Sequence, residues 1–194
     1  MMLFDLGLNK NDLNNESIVN KKIKDIEDQF DLVMIAEKFS QSIVLLKNEL
    51  CWESQDVTSF HLNGRQKDTK SQLNKTTRTL LKDYLKSDYA LYNHFLKIFQ
   101  SKLEMMGILK MEKEVSALEK ANSEIYRACA VEETANEKLK GDQHWYGPAK
   151  LIGYKVNNFT NEECLLMSVL KYIDRIRRKK SWRRQTRFWM WRNE

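Results

Sequence analysis

The chain has 194 residues, 42% of them hydrophobic and 31% charged, with one proline and six glycines. That helix-leaning globular composition excludes collagen and disorder, and the length suffices to bury a real core. The formal charge of +6 is uneven: residues 171–194 hold ten Lys/Arg against two acids, a net of +8, while the remainder holds 23 basic against 25 acidic groups.

No apolar run approaches the ~20 residues a transmembrane helix needs. The start, MMLFDLGLNKND, has an acid at its fifth residue and no basic region before an apolar one, so it does not read as a signal peptide. Residues 1–20 are an Asn-rich lead-in with Leu3, Phe4, Leu6 and Leu8 as a small apolar start. From Ile18 to Phe30, Ile23, Ile26 and Phe30 recur at i, i+3 and i+7, which predicts a short amphipathic helix.

The stretch Asp31–Trp52 organises the rest. Its apolar run Leu32–Ala36 is too short for a helix and suits a buried strand. Glu37 and Lys38 end the run, and Ser40 is placed to cap a helix whose face is Ile43, Leu46 and Leu50 with Val44 and Leu45. A buried strand running into an amphipathic helix is half of a βαβ unit. Ligands in open α/β sheets bind outside the carboxyl ends of the strands, so Glu37 stands where a site would be; the alternative is a solvated loop acid.

Further on, alternation over 56–63 (Thr58, Phe60 and Leu62 on one face) predicts a second extended segment ending in an Asn63-Gly64 turn. Residues 65–76 read as a polar loop, Thr77–Leu85 as a helix, and Ser87-Asp88 as the cap of a helix carrying Tyr92, Phe95, Leu96, Phe99, Leu103 and Met106. Gly107 is a break before a helix from Met111 to Ala130. The Met and aromatic stripe of these helices reads as core. Residues 131–142 read as an exposed connector, His144–Tyr154 as a structured loop, and Asn161 to about Ile176 as a helix capped by Thr160.

The sequence contains no Walker-type glycine loop, GxGxxG, HExxH or GxSxG. Cys51, Cys129 and Cys164 show no CxxC spacing and His61, His94 and His144 stand apart from them, so no metal site is expected. Sequons at Asn15, Asn74 and Asn158 are glycosylation candidates and point toward a secretory compartment, where one disulfide and one free thiol would account for three cysteines. The basic aromatic tail has two functional readings, an anionic membrane surface ahead of nucleic acid, beside a plain one in which its aromatics pack and its cations stay solvated. No nucleic-acid partner is expected.

Together these segments resemble the C-terminal half of the galactose-3-O-sulfotransferases, which include the galactosylceramide sulfotransferases. The similar pieces run in family order: LFDLGLN at 3–9, IKDIEDQFDLVMIAEKFSQSIVLLKNELCW at 23–52, DVTSFHLNGR at 56–65, LYNHFLKIFQSKLE at 91–104, EKANSEIYRACA at 119–130, AKLIGYKV at 149–156 and ECLLM at 163–167. The central piece is the most specific. The chain departs from the family pattern at Lys38, Ser40 and Gln41, where an aromatic or His and then, after Phe, an Asp-Glu pair are usual.

The resemblance implies a sulfotransferase that moves a sulfuryl group from 3′-phosphoadenylyl sulfate (PAPS) to the 3-hydroxyl of a terminal β-galactose on glycolipid or glycoprotein. It implies an α/β fold, an incomplete P-loop-like sulfotransferase domain that is mostly helical here with about two strands, over residues 1–170, followed by the tail at 171–194. It also implies a Golgi membrane protein facing the lumen. The catalytic groups, the PAPS-binding loop and the membrane anchor are expected upstream of this chain, which alone is then inactive. Glu37, Asn63, Arg65, Lys150 and Tyr154 become candidates to line the donor or acceptor site. Cys129 and Cys164 match family cysteines and are expected to pair. The competing readings are a non-catalytic galactoside- or partner-binding remnant and a membrane-surface module using the basic tail.

Overall fold

The apolar run after Asp31 forms a strand, β1 (Leu32–Ile35), with all four side chains buried. The structure, a computed structural model, describes residues 2–60, 64–65, 73–139, 151–157, 164 and 167, and the backbone of 188–191. The chain divides into two units: Met1–Leu50 with Gln72–Glu114 and Gln185–Glu194, and Cys51–Ser71 with Val115–Arg184.

In the first unit, helices α1 (Met2–Asp5), α2 (Glu16–Gln29), α3 (Phe39–Glu49) and α4 (Lys75–Tyr84) accompany the long helix α5 (Lys86–Met106). Leu91, Phe95 and Phe99 of α5 recur at i, i+4 and i+8, the spacing that keeps one helical face turned inward, and all three are buried. Their face meets β1 and the other helices of this unit. Val19, Ile23 and Ile26 do the same for α2, whose N-terminus is capped by Asn15 Oδ1 accepting from the N–H groups of Ser17 (3.1 Å) and Ile18 (3.3 Å).

The partner of β1 is β4 (Phe188–Trp191), in parallel, with Leu32 opposite Phe188 and Ile35 opposite Trp191. The aromatic end of the basic tail is therefore a strand. A parallel strand covered on both faces reads as an unbroken apolar run, which is the pattern of Leu32–Ile35.

The entry to α3 differs from expectation. Ala36–Lys38 make a 3-10 turn, α3 begins at Phe39, and Lys38 occupies the cap position with no side-chain bond, so Ser40 is not the cap. Ser42 is the serine that matters. Its fully buried hydroxyl donates to the Ile35 carbonyl at 2.9 Å and accepts the Ile35 N–H at 3.0 Å, stitching α3 to the end of β1. Removing a hydroxyl that satisfies two buried backbone groups costs roughly 1–3 kcal/mol. Ser42→Ala should show that loss in urea unfolding, and a loss below about 0.5 kcal/mol would mean that the stitch is redundant.

Ser87 and Asp88 are likewise not used as the cap of α5, which starts at Lys86. The buried Asp88 carboxylate accepts the N–H groups of Met2 and Leu3, both at 3.1 Å, and so fastens α1 to α5, while the Ser87 hydroxyl donates to the Leu13 carbonyl. Lys47, its side chain 11% exposed, pairs with Glu114, and the hydrogen bond from Lys47 holds the Glu114 carboxyl below its ordinary value against the opposing effect of burial.

The second unit holds an antiparallel pair, β2 (Val131–Ala135) and β3 (Ile152–Val156), with Val131 opposite Val156 and Ala135 opposite Ile152. Residues 131–138, read from sequence as a connector, are thus a strand and a 3-10 turn, Asn136–Lys138. Together with β1 and β4 this makes four strands among the described residues, against about two expected. Gly153 is required: a Cβ there would lie 2.6 Å from Leu139 Cδ1 and 3.0 Å from Asn136 Cα. Of the extended segment expected over 56–63, Asp56 and Val57 belong instead to a 3-10 turn, Ser54–Val57, in which Glu53 and Asp56 cap each other's backbone; Thr58 is extended, and 61–63 lie outside the described residues.

Helix α6 (Ile108–Ala128) contributes residues to both units. In the second, Ile125 and Tyr126 pack against a core of Phe60, Cys129, Tyr154, Val156, Cys164 and Met167. Cys129 and Cys164 form a disulfide, Cα–Cα 5.4 Å. Cys164 and Met167 are helical in backbone, while the rest of the helix expected from Asn161, the turn residue Asn63 and the segment 144–150 lie outside the described residues.

Candidate functional site

Glu37 sits in the 3-10 turn at the carboxyl end of β1, exposed to solvent. Tyr92, half-buried on α5, is its neighbour: burial raises the Tyr92 phenol above its ordinary value, and the Glu37 charge raises it further. Ser42 fixes Ile35, two residues ahead of Glu37, to α3. A carboxylate at a strand end can accept a hydrogen bond from a sugar hydroxyl, and a phenol within its electrostatic reach can donate one. Tyr92 read as core from sequence, and no local signal would have found its exposure to the charge of Glu37, because that is set by how α5 lies on β1.

A second polar place in this unit is a cleft of about 340 Å³ between α2 and α5. His94 Nε2 and Glu27 Oε2 are 2.8 Å apart, and Lys24, Asn93 and Lys97 line the opening.

In the second unit, the remaining candidates divide. Arg65 is exposed and forms an isolated antiparallel bridge with Leu151, while the Ile152 N–H donates to the Gly64 carbonyl at 2.7 Å. These bonds bring Gly64 and Arg65 alongside Leu151 and Ile152. Asn63 and Lys150 themselves lie outside the described residues. Tyr154 is 2% exposed, its ring 5.5 Å from Phe60 and 5.9 Å from Tyr126, which is a packing position. A shallow depression of about 510 Å³ lies over Asn122, Ser123, Tyr126 and Arg127 of α6.

Asn15 and Asn74 are exposed and both serve as helix caps, Asn74 Oδ1 accepting the Thr77 N–H at 2.7 Å; Asn158 lies outside the described residues. Among the described residues no group of His, Cys, Asp or Glu is arranged to hold a metal ion.

The β1–α3 junction carries Ala36, Glu37 and Lys38, and the carboxylate there opposes an anion.

Comparison with known proteins places these features. The family model for galactose-3-O-sulfotransferase matches residues 1–180. A galactosylceramide sulfotransferase of Bos taurus is 34% identical over 163 residues, covering 80% of this chain and 38% of the relative. The galactose-3-O-sulfotransferase 2 of Sus scrofa is 30% identical over 187 residues, 90% of this chain and 47% of the relative. The galactose-3-O-sulfotransferase 4 of Homo sapiens is 29% identical over 186 residues, 85% of this chain and 38% of the relative. This chain thus spans less than half the length of these relatives. No solved structure matches it. On a family match that runs through nearly all of its residues, the chain belongs to the galactose-3-O-sulfotransferases, a family of transferases.

Proposed function

We propose that this chain forms the acceptor-side portion of an enzyme that transfers a sulfuryl group from PAPS to the 3-hydroxyl of a terminal β-galactose on glycolipid or glycoprotein. The family match over residues 1–180 carries the reading. In the reaction, the galactose O3 attacks sulfur, the bond from sulfur to the bridging phosphate oxygen breaks, 3′-phosphoadenosine 5′-phosphate leaves, and the hydroxyl proton passes to a base. Donor binding falls to polypeptide beyond these 194 residues, which agrees with their lack of a glycine-rich phosphate loop. The parallel pair β1–β4 is then one edge of a P-loop-like sheet, and Glu37 with Tyr92 lies where the acceptor sugar enters. The proposed setting is the Golgi lumen, with a membrane anchor outside this chain. An oxidising compartment suits the Cys129–Cys164 disulfide.

The test is sulfate transfer from labelled PAPS to a β-galactoside, by the chain alone and by the chain joined to the donor half of a family member. Transfer is expected only from the joined protein. Saturable binding of 3′-phosphoadenosine 5′-phosphate by the chain alone would overturn the division of labour. In the joined protein, Glu37→Ala should lower kcat/KM by roughly 10- to 100-fold, the worth of a charged hydrogen bond to a substrate hydroxyl. Unchanged transfer would remove Glu37 from the site.

A further inference from the structure

The cleft between α2 and α5 is built from one face of each helix. Asn20, Ile23, Lys24 and Glu27 fall at i, i+3, i+4 and i+7 on α2, and Ala90, Asn93, His94 and Lys97 repeat that spacing on α5. Buried Ile23 and half-buried Ala90 are its apolar lining, and the smallness of Ala90 leaves room between the helices. At about 340 Å³ the cleft is of a size for a small molecule.

Its polar groups select the occupant. Glu27 and His94 engage each other from one helix to the other at 2.8 Å. Lys24 and Lys97 carry ammonium groups that pair with no described residue, and the side-chain amides of Asn20 and Asn93 have no described partner either. Lys24 has Asp28 one turn ahead, at the spacing of a helical ion pair, and does not take it. No acid is among the residues that line the opening. A cation would be repelled by this rim, and an apolar ligand would leave its charges unanswered. A tetrahedral oxyanion answers to all four groups, because ammonium groups balance its charge and amide N–H groups donate to its oxygens.

We propose that this cleft is an oxyanion site that takes a sulfate or phosphate group borne by a small polar molecule, with Lys24 and Lys97 set on its charge and Asn20 and Asn93 donating to its oxygens. Neither Glu37 nor Tyr92 lines the cleft, and the proposal does not depend on the transfer reaction.

The full chain, uniformly labelled with heavy nitrogen, is titrated with sodium sulfate and with sodium phosphate. A parallel titration uses sodium chloride at matched ionic strength, and the side-chain amide resonances of Asn20 and Asn93 are followed in all three. The expected result is a saturable displacement of both resonances by sulfate and phosphate and not by chloride. Lys24→Gln with Lys97→Gln should weaken that binding at least roughly tenfold, the worth of the charge-assisted bonds lost. Lys24→Arg with Lys97→Arg should retain it within about threefold, since the charge and the donors remain. Both lysines are exposed, so folding should be unaffected. Equal displacement by chloride would overturn the proposal, because general screening would then be at work. So would saturation that the double Gln variant leaves intact, since the basic residues 171–194 would then hold the anion. Displacement of bound sulfate by 3′-phosphoadenosine 5′-phosphate far below the sulfate concentration would overturn it as well, by making the cleft a donor site.

Discussion

Replacing Cys129 and Cys164 together by alanine should lower stability by about 3–4 kcal/mol, the loop-closure entropy that a cross-link over a separation of 35 residues removes from the unfolded chain. Both sulfurs lie in the fully buried centre of the second unit, against Phe60, Tyr154, Val156 and Met167, so lost packing adds to the entropy rather than offsetting it. The measurement is urea unfolding followed through the near-ultraviolet signal of Tyr126 and Tyr154, beside a thiol count in denaturant without reductant. A single reactive thiol, Cys51, is expected. Three reactive thiols would show that the pair does not form, and would remove the support it lends to an oxidising compartment.

Tyr154→Ala should cost about 3–5 kcal/mol, the range for emptying an aromatic site in a packed core. Its ring is one corner of an aromatic triad: Phe60 and Tyr126 stand 4.8 Å apart at a steep tilt, and Tyr154 contacts both. Tyr154→Phe keeps the ring and gives up only the hydroxyl, at a cost of about 1 kcal/mol. The pair of variants separates packing from substrate contact. In the joined, active protein, Tyr154→Phe should retain transfer within about threefold, as a ring-packing role requires. A large loss of kcat/KM with stability intact would assign Tyr154 a contact with sugar or donor. Arg65, exposed at the bridge to Leu151, is the better placed of the two for a ligand.

The central part of the fold was legible because its signals are local and repeated. Leu32–Ile35 is an apolar run of strand length, and α2, α3 and α5 carry their buried residues at helical spacing. Gly107, read as a break, has a φ of +84°, which only glycine adopts cheaply, and it separates α5 from α6. The disulfide was legible by a different route, through resemblance to the family, since spacing leaves the pairing of three cysteines open.

Other features lay beyond local pattern. Val131–Ala135 has two exposed glutamates at its centre and too little apolar character to announce a strand, and it becomes one because β3 offers a complementary edge. The residues Phe188–Trp191 sit in a cation-rich stretch whose composition suggests a surface, yet their backbone completes a parallel pair with β1. Asp88 has every local mark of a helix cap and is spent instead on Met2 and Leu3, more than eighty residues away.

The candidate site divides in the same way. The position of Glu37 after a buried strand followed from sequence, because the end of an apolar run coincides with the end of a strand. That Tyr92 feels its charge, that Gly64 and Arg65 lie against Leu151 and Ile152, and that Tyr154 faces inward were decided by tertiary structure alone. Periodicity records which face of an element is apolar, and it carries no record of which distant element will cover that face. The helix α4 carries the same distinction furthest: its stripe is plain in the sequence, and only the fold shows that nothing among the described residues buries it.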